Sequence, residues 1–391
     1  MQNISTRLIN AGRDESELPI RTINPPLHRA STVLFDSYAD MLKANHGQFE
    51  GIEYGTCGMA AQKAFETAMA ELEGAHGCRA FQSGIAAIAM VLMAYTEQGD
   101  HILICDNVYG PTRRFCDEFL SKYGVETEFL PSASGADIRN HIRDNTRLVF
   151  MESPGSNTFE IQDIPAITAV CREKGVVSVI DNTWATPLYL NPFELGVDVS
   201  IQSATKYITG HSDILLGTVS VNEKYWAPFN KCCRLFEAFA SQEDCYQALR
   251  GLRTLKVRLR QHEQSALEIA RWLSSHEMVE SVIHPALENH PQHELWKRDF
   301  KGSSGLFAFT LKDEFEELDH SVFVDSLNLF GLGYSWGGYK SLLTGGRFKR
   351  TNSFGYEGKT IFRLNIGLED SEDLKADLEQ GLNRLAEYVA S

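Results

Sequence analysis

The chain has 391 residues, of which 43% are hydrophobic and 23% charged, and its formal net charge is −15. The length predicts one large domain and one smaller domain, and the composition is that of a globular protein. The negative charge argues against nucleic acid or an anionic membrane as the main partner. Because the longest apolar stretch, at 84–95, is too short to cross a bilayer and the first residues contain no apolar signal core, we expect a cytoplasmic protein.

The first 58 residues are polar, weakly periodic and interrupted by Pro25 and Pro26. This pattern predicts an arm that lies on another surface, such as a second subunit. From about residue 60, helical periods alternate with short apolar runs, which is typical of crossover units around a mostly parallel sheet. The predicted organisation is the arm at 1–58, a large domain at 59–255 and a smaller α+β domain at 256–391.

Helix signals are clear near the start of the large domain. The segment at 60–73 places Phe65, Met69 and Leu72 on one helical face, and Gly74 follows as a helix stop. The stretch at 84–95 is apolar on all sides, so we expect a helix in the interior of the protein.

A short buried strand is predicted at 101–107. Pro111 then opens another helix, which Gly124 closes. Strand and helix patterns continue to alternate up to residue 222.

The smaller domain begins with long helical patterns at 243–275, followed by strands separated by helices. Its last predicted helix spans 371–389 and is capped by Asp370 or Ser371. One face of this helix carries Leu374, Leu378, Leu382, Leu385 and Val389.

The eight cysteines show neither a CxxC pair nor the spacing of metal ligands, so we expect them to be reduced and mostly buried. His290 and His293 could be read as a pair of metal ligands. Neither Cys nor a suitably placed carboxylate accompanies them, and no bound metal is predicted.

Two polar residues end neighbouring predicted strands, where open α/β sheets bind their ligands. Asp181 ends "VVSVID" and Lys206 follows "VSIQSAT". From spacing alone, the two could form a buried ion pair or cap the following turns. Alternatively, Lys206 forms a Schiff base with a carbonyl cofactor, and Asp181 holds the protonated pyridine nitrogen of pyridoxal 5'-phosphate.

A phosphate group would need donors nearby. Ser203 and Thr205 supply hydroxyl groups just before Lys206. In "FQSGIAAIAMV", Ser83 and Gly84 form a turn, and the amides of Gly84 and Ile85 open the apolar helix. A helix start of this kind is weak evidence by itself, because glycine and serine precede many helices.

Several motifs together resemble the Cys/Met-metabolism family of pyridoxal-phosphate enzymes, and within it the β-lyase branch. They occur in order along nearly the whole chain: "AFQSGIAAIA", "FMESPGSNT", "VIDNTWATPLY", "DVSIQSATKYITGHSD", "GLRTLKVRLRQH", "YSWGGYKSL" and "FRLNIGLEDSEDL". The resemblance implies an α/β fold of type I, like that of aspartate aminotransferase. It also implies β-elimination on a sulfur amino acid, such as L-cystathionine to homocysteine, pyruvate and ammonia.

The resemblance also implies roles for single residues. Lys206 matches the Schiff-base lysine, and Asp181 matches the partner of the pyridine nitrogen. Tyr109, in "DNVYGP", matches the tyrosine stacked on the cofactor ring. Arg363, in "IFRLNIG", matches the arginine that holds the α-carboxylate of the substrate, for which a guanidinium fork is suited.

Trp336 lies where β-lyases of the family carry a tryptophan, and Ser335 beside it is assigned to the substrate site. Tyr54 matches a tyrosine that reaches the cofactor phosphate, and the catalytic site, of the neighbouring subunit. The resemblance therefore implies a homo-oligomer, a dimer at least and usually a tetramer.

Two residues depart from the family pattern. Thr56 stands where the family has an arginine on the cofactor phosphate, which leaves neutral donors or another arginine, such as Arg347 or Arg350, for that contact. Lys340 stands where β-lyases commonly have glutamate. Both changes suggest an alternative, namely a γ-elimination, γ-replacement or carbon–carbon bond-forming enzyme. A cofactor-binding protein without turnover is a further alternative, although the intact Lys206 and Arg363 argue against it.

Overall fold

The computed structural model describes residues 3–12, 22–352 and 354–390. Its larger sheet has seven strands in the spatial order β1-β7-β6-β5-β4-β2-β3. These strands are β1 Gly77–Phe81, β2 His101–Cys105, β3 Glu126–Leu130, β4 Thr146–Glu152, β5 Val177–Asp181, β6 Val199–Gln202 and β7 Gly217–Val221. The order confirms the predicted α/β class with its mostly parallel sheet.

Strand β7 is the exception to the parallel arrangement, because it runs antiparallel to both β6 and β1. The connection between β6 and β7, residues 203–216, contains turns and no helix. A parallel neighbour would need a crossover connection, usually a helix. The turns therefore return the chain in the opposite direction. Lys206 lies in these turns, just beyond the carboxyl end of β6.

The helices of this part of the chain are α1 Ile4–Asn10, α2 Tyr38–Asn45, α3 Ala60–Glu73, α4 Gly84–Tyr95, α5 Gly110–Glu118, α6 Ile164–Lys174, α7 Thr186–Tyr189, α8 Glu223–Leu235 and α9 Gln242–Ser274. Helices α3, α4, α6 and α8 pack directly on strands of the large sheet. The predictions for α3 and α4 are confirmed, including the stop at Gly74, whose φ is 76°. Helix α5 begins at Gly110, and a short 3-10 turn carries the chain on to Gly124.

The smaller sheet has five strands in the order β10-β11-β12-β9-β8. They are β8 Val279–Ile283, β9 Leu306–Leu311, β10 Gly331–Leu332, β11 Leu342–Gly346 and β12 Ile361–Asn365, with helices α10 His293–Asp299, α11 Asp313–Glu316, α12 Ser321–Val324 and α13 Ser371–Ala390. The four predicted leucines of α13 are buried. The side chain of Val389 lies outside the described residues.

Helix α9 connects the two sheets. It is continuous over 33 residues, which corresponds to about 50 Å, and it packs on α3 in the large domain and on β8 and α13 in the smaller one. The predicted boundary between residues 255 and 256 lies inside this helix. The two sheets are distinct, whereas the point at which the domains divide stays a prediction.

The predicted arm falls into two described pieces, with residues 13–21 outside the described part of the chain. Helix α1 lies on α9: Leu8 is buried, and Arg253 donates to the carbonyls of Leu8 and Ala11. The second piece leaves apolar side chains exposed, among them Ile23 and Leu34, which are 75% and 88% exposed. This piece has little to cover it within one chain.

The histidines considered as metal ligands are engaged with the backbone. Nδ1 of His290 accepts the amide of Gln292, and Nδ1 of His293 donates to the carbonyl of Pro285. In the described ranges, no group of three or more His, Cys, Asp and Glu side chains is arranged to hold a metal ion. The described helices also include none that is long and apolar enough to cross a membrane.

Candidate active site

The predicted lysine lies beside two residues of the smaller domain. Lys206 Nζ donates to Ser335 Oγ at 2.8 Å and lies 5.2 Å from the ring centroid of Trp336. The sequence predicted all three residues for the site, and the fold brings them together although 129 positions separate Lys206 from Ser335.

The environment of Lys206 favours the neutral amine. Its pKa is lowered from 10.5 to about 8, first by burial and then by the Arg363 guanidinium, while the Asp181 carboxylate opposes the change. A lysine with such a pKa exists partly as the free amine near neutral pH. It can therefore act as a nucleophile or as a base.

Asp181 ends β5 and is buried. Burial raises its pKa, while hydrogen bonds from Thr183 and the charge of Lys206 favour the carboxylate. Both the amide and the hydroxyl of Thr183 donate to Asp181 Oδ1. The Thr183 hydroxyl in turn accepts the amide of Ser203 at 2.8 Å, so it ties the carboxylate to the start of the Lys206 turn.

Sequence reasoning missed Thr183 and also Glu152. Glu152 ends β4 directly opposite Asp181 in the sheet ladder, and its Oε2 accepts the amide of Tyr109 at 2.7 Å. Burial and the neighbouring Asp181 raise the pKa of Glu152 to about 8. The available signal was the same as for Asp181: a carboxyl group at the end of a buried strand.

The start of α4 forms a small cradle. Ser83 caps the helix by accepting the amide of Ala86, and the first amides of a helix, here those of Gly84 and Ile85, have no partner within it. A Cβ placed on Gly84 would lie 2.7 Å from Ser203 Oγ. Only glycine lets the Ser203 hydroxyl approach the helix start so closely, and amides with a hydroxyl suit a phosphate group.

The hydroxyl of Thr205 is used within the protein. It donates to the carbonyl of Leu216 at 3.1 Å and accepts the Leu216 amide at 2.8 Å. Because a hydroxyl has a single proton to donate, the predicted phosphate contact of Thr205 competes with this pair of bonds.

Tyr109 precedes α5 and is 46% exposed, so its ring is accessible for stacking. Burial and the nearby Glu152 raise the pKa of its hydroxyl, whereas Arg363 lowers it. Arg363 lies on β12, where Nη2 donates to the carbonyl of Tyr334 at 2.8 Å and Nη1 lies 3.5 Å from Asn157 Oδ1. Burial lowers the pKa of Arg363 to about 10. Its positive charge lies close enough to act on both Tyr109 and Lys206.

Arg347 and Arg350, which the sequence offered as alternative phosphate ligands, both form ion pairs. Arg347 pairs with Glu316 and Glu317, and Arg350 pairs with the half-buried Glu160. Both arginines therefore have carboxylate partners in the single chain, and the suggestion that one of them replaces the missing phosphate ligand stays a prediction.

Lys340 and Tyr54 have other contacts in the single chain. Lys340 Nζ donates to the carbonyl of Leu329 beside β10. Tyr54 is 46% exposed, next to the 3-10 turn that contains Thr56. No contact within the described ranges joins Tyr54 to Lys206 or Tyr109.

These residues fit pyridoxal phosphate: a buried amine with a lowered pKa, a buried carboxyl for the ring nitrogen, an accessible tyrosine ring and a cradle for a phosphate. The sequence model of the family described as Cys/Met metabolism PLP-dependent enzyme matches residues 5–383. The chain belongs to this family, and pyridoxal 5'-phosphate is its cofactor.

Individual relatives agree over nearly the full length. A Rhizobium johnstonii protein named "Putative cystathionine beta-lyase" is 46% identical over 97% of this chain and 95% of its own. The Escherichia coli "Cystathionine beta-lyase MetC" is 42% identical over 98% and 99%. A crystal structure of metB from Corynebacterium glutamicum is 32% identical and superposes with a TM-score of 0.89 over 98% of this chain and 99% of that one. The resemblance inferred from the motifs and the fold type are thereby confirmed.

Proposed function

We propose that the protein cleaves the Cβ–S bond of a thioether amino acid, most simply L-cystathionine, by β-elimination. With one water, L-cystathionine gives homocysteine, pyruvate and ammonia. The observation that carries the proposal is the position of the Lys206 amine, which is held by Ser335 and faces the ring of Trp336. The names of the relatives from Rhizobium and Escherichia support the same reaction.

The chain supplies the proton chemistry. Pyridoxal phosphate, when bound, supplies an electron sink that stabilises negative charge at the α-carbon of the substrate. Arg363 binds the α-carboxylate through its guanidinium fork and so orients the Cα–H bond. Lys206, whose pKa is about 8, is partly neutral near pH 7.5 and removes the α-proton. Asp181, whose carboxylate accepts two bonds from Thr183, holds the pyridine nitrogen.

The protein is also proposed to act as a homo-oligomer in the cytoplasm. The exposed apolar side chains of residues 22–58, such as Leu34 and Tyr38, support an arm that lies on a second copy of the chain. The proposed arm would carry Tyr54 to the site of its neighbour. All eight cysteines are free, six of them buried, which supports a reducing compartment.

The alternative of a γ-elimination, γ-replacement or carbon–carbon bond-forming enzyme keeps its two motives, the departures at Thr56 and Lys340. The alternative of a cofactor-binding protein without turnover would use the same neutral amine of Lys206 for the covalent link. The intact Arg363, which binding of the cofactor alone would not need, argues against it.

Product analysis tests the proposal. The purified protein, loaded with pyridoxal phosphate, is incubated with L-cystathionine, and the products are identified by mass spectrometry. We expect pyruvate and homocysteine, and neither from the Lys206→Ala variant. Cysteine and 2-oxobutyrate would instead show cleavage on the γ side. Absence of pyruvate from every thioether amino acid tried would contradict β-elimination.

A further inference from the structure

One arginine of α9 is buried without a carboxylate partner in the described part of the chain. Arg258 is 7% exposed. Nη1 donates to the carbonyl of Tyr207 at 2.8 Å, and Nη2 donates to the carbonyls of Ile208 and Gly251 at 3.3 and 2.8 Å. Burying a cation is costly, and here only neutral groups compensate for it, namely these carbonyls and the hydroxyl of Thr254, which accepts a bond from Nε at 3.1 Å. Two of the three carbonyls lie in the turn that directly follows Lys206.

The turn is built around this guanidinium. Gly210 has a φ of 71°, and a Cβ at this position would lie 1.9 Å from Arg258 Nη1. A Cβ on Gly251, in α9 itself, would lie 2.5 Å from the carbonyl oxygen of Ile208. Both glycines allow α9 to approach the turn closely. The backbone after Lys206 is thus fixed to the face of α9 that carries Arg258.

One helical turn further along the same face, His262 contacts the strand that carries Arg363. His262 is fully buried, and its Nδ1 donates to the carbonyl of Ile366 at 2.8 Å. Ile366 follows the end of β12, three residues after Arg363. Residues i and i+4 of a helix lie on one face. Arg258 and His262 therefore hold the lysine turn and the arginine strand to a single rigid element.

Hydrogen bonds close this connection into a ring. The hydroxyl of Tyr207 accepts the amide of Gly305 at 2.9 Å, and the carbonyl of Gly305 accepts the amide of Ile366 at 2.8 Å. Tyr207 and His262 also pack ring to ring, with centroids 5.2 Å apart. The path from Arg258 through Tyr207, Gly305 and Ile366 returns to His262. Such a closed ring resists displacement of either of the elements that it joins.

We propose that Arg258 and His262 are positioning residues. They set the distance and orientation between the Lys206 amine and the Arg363 guanidinium, which lie on different domains. They act through the backbone and touch neither the cofactor nor the substrate. The meaning of this relationship for catalysis rests on the proposed function, because the amine and the guanidinium must meet one substrate from fixed directions. The relationship itself is measurable without turnover.

The experiment measures Lys206 in the apoprotein. An amine-directed reagent is applied over a range of pH, and the modified Lys206 peptide is quantified by mass spectrometry. Arg258→Met removes the bonds to the turn and leaves no buried charge. Because the loosened turn would let Lys206 move away from Arg363, whose charge lowers the pKa of the amine, we expect the midpoint of Lys206 modification to rise. The expected rise is about one pH unit, which is roughly a tenfold loss of neutral amine at pH 7. The exposed neighbour on the same helix provides a matched control, Arg260→Met, which should leave the midpoint unchanged.

His262 is tested in the same way. His262→Leu removes the bond to Ile366, whereas the amide of His262→Asn can still donate to that carbonyl and should restore the wild-type midpoint. In the loaded enzyme, we expect His262→Leu to raise KM for the amino acid more than it lowers kcat, because Arg363 is the group displaced.

Equal midpoints in Arg258→Met and Arg260→Met would overturn the proposal, even if Arg258→Met were less stable to heat. If Arg258→Met does not fold, His262→Leu carries the test alone, and an unshifted midpoint there overturns it. If the protein proves to have no lyase activity, the apoprotein midpoints still decide the positioning role. Failure of the proposed function is therefore distinguishable from failure of this inference.

Discussion

Glu152 and Asp181 are direct partners at the carboxyl ends of β4 and β5, and both are buried. Two carboxylates this close in a buried site do not readily ionise together. Asp181 receives the bonds of Thr183 and faces Lys206, while burial and Asp181 raise the pKa of Glu152 to about 8. Glu152 therefore holds the proton near neutral pH. Asp181 remains the anion that can hold a protonated pyridine nitrogen.

This assignment predicts how Glu152→Gln changes stability with pH. Because the folded pKa of Glu152 lies above its ordinary value of 4.5, the folded protein binds more protons than the unfolded chain between pH 4.5 and 8. This residue therefore makes wild-type stability fall as pH rises through that window. Glutamine removes this dependence, and its carbonyl still accepts the amide of Tyr109.

The measurement is the free energy of unfolding of the apoprotein in urea, at a fixed protein concentration. We expect the stability of Glu152→Gln relative to wild type to increase from pH 4.5 to 8 and to level off above. Glu126→Gln is the control, since Glu126 is exposed on β3 and pairs with Arg143. A difference that stays constant across the window would contradict a protonated Glu152.

The charge of Arg363 is predicted to control the reactivity of Lys206. Burial and Arg363 both lower the pKa of the amine, and Asp181 raises it. The rate at which the wild-type apoprotein captures pyridoxal phosphate covalently should rise with pH, with a midpoint of about 8. Arg363→Gln should move the midpoint upward, and Asp181→Asn should move it downward. The rate is followed by absorbance after mixing, and equal midpoints in all three proteins would contradict the electrostatic account.

Replacing Lys206 itself should separate cofactor attachment from folding. Lys206→Ala loses one hydrogen bond to Ser335 and the contact with Trp336, so we expect the fold to remain and the covalent link to the cofactor to be absent. Lys340→Ala is the matched control, because its amine bonds to Leu329 instead. Mass spectrometry after borohydride reduction should find the cofactor on Lys206 in the control and on no residue of Lys206→Ala. Normal covalent loading of Lys206→Ala would refute the assignment.

The sequence predicted those site residues that directly follow a recognisable buried strand. Lys206 and Asp181 follow buried strands, and the topology of an α/β sheet brings such strand ends together. Glu152 and Thr183 were missed because their roles arise from neighbours. The register of β4 against β5 places Glu152 beside Asp181, which keeps Glu152 protonated. The path of the backbone after Asp181 places the Thr183 hydroxyl between Asp181 and the turn that begins at Ser203.

The limits of the fold prediction have similar causes. Apolar alternation marked the segment of β7, but alternation does not specify direction, which depends on the turns of 203–216. Strand β10 has two residues, too few for a period. The helical pattern of α9 was recognised, whereas its packing on elements of both domains depends on tertiary contacts that the pattern does not contain.

Tyr54 is predicted to act in the neighbouring subunit. If it does, Tyr54→Ala and Lys206→Ala subunits are each inactive, yet a mixed dimer contains one site with both residues intact. Random exchange between the two variants in equal amounts should restore about a quarter of the wild-type activity, because half of the dimers are mixed and each has one functional site. Activity is measured before and after subunit exchange. A mixture that stays as inactive as its components after exchange would place Tyr54 at the site of its own subunit, and a fully active Tyr54→Ala variant would place it outside the site.

Thr56 gives the remaining prediction, because it stands in the same turn as Tyr54. If this turn reaches the cofactor phosphate, Thr56→Arg adds a charge-assisted hydrogen bond worth about 1.5–3 kcal/mol, which is roughly a tenfold to hundredfold lower Kd for pyridoxal phosphate. Thr56→Gln has a long polar side chain without the charge and serves as the control. Affinity is measured by titrating the apoprotein at low and high salt, since screening should reduce the gain of the arginine variant more than that of the control. Equal affinities of the two variants would mean that Thr56 does not face the phosphate.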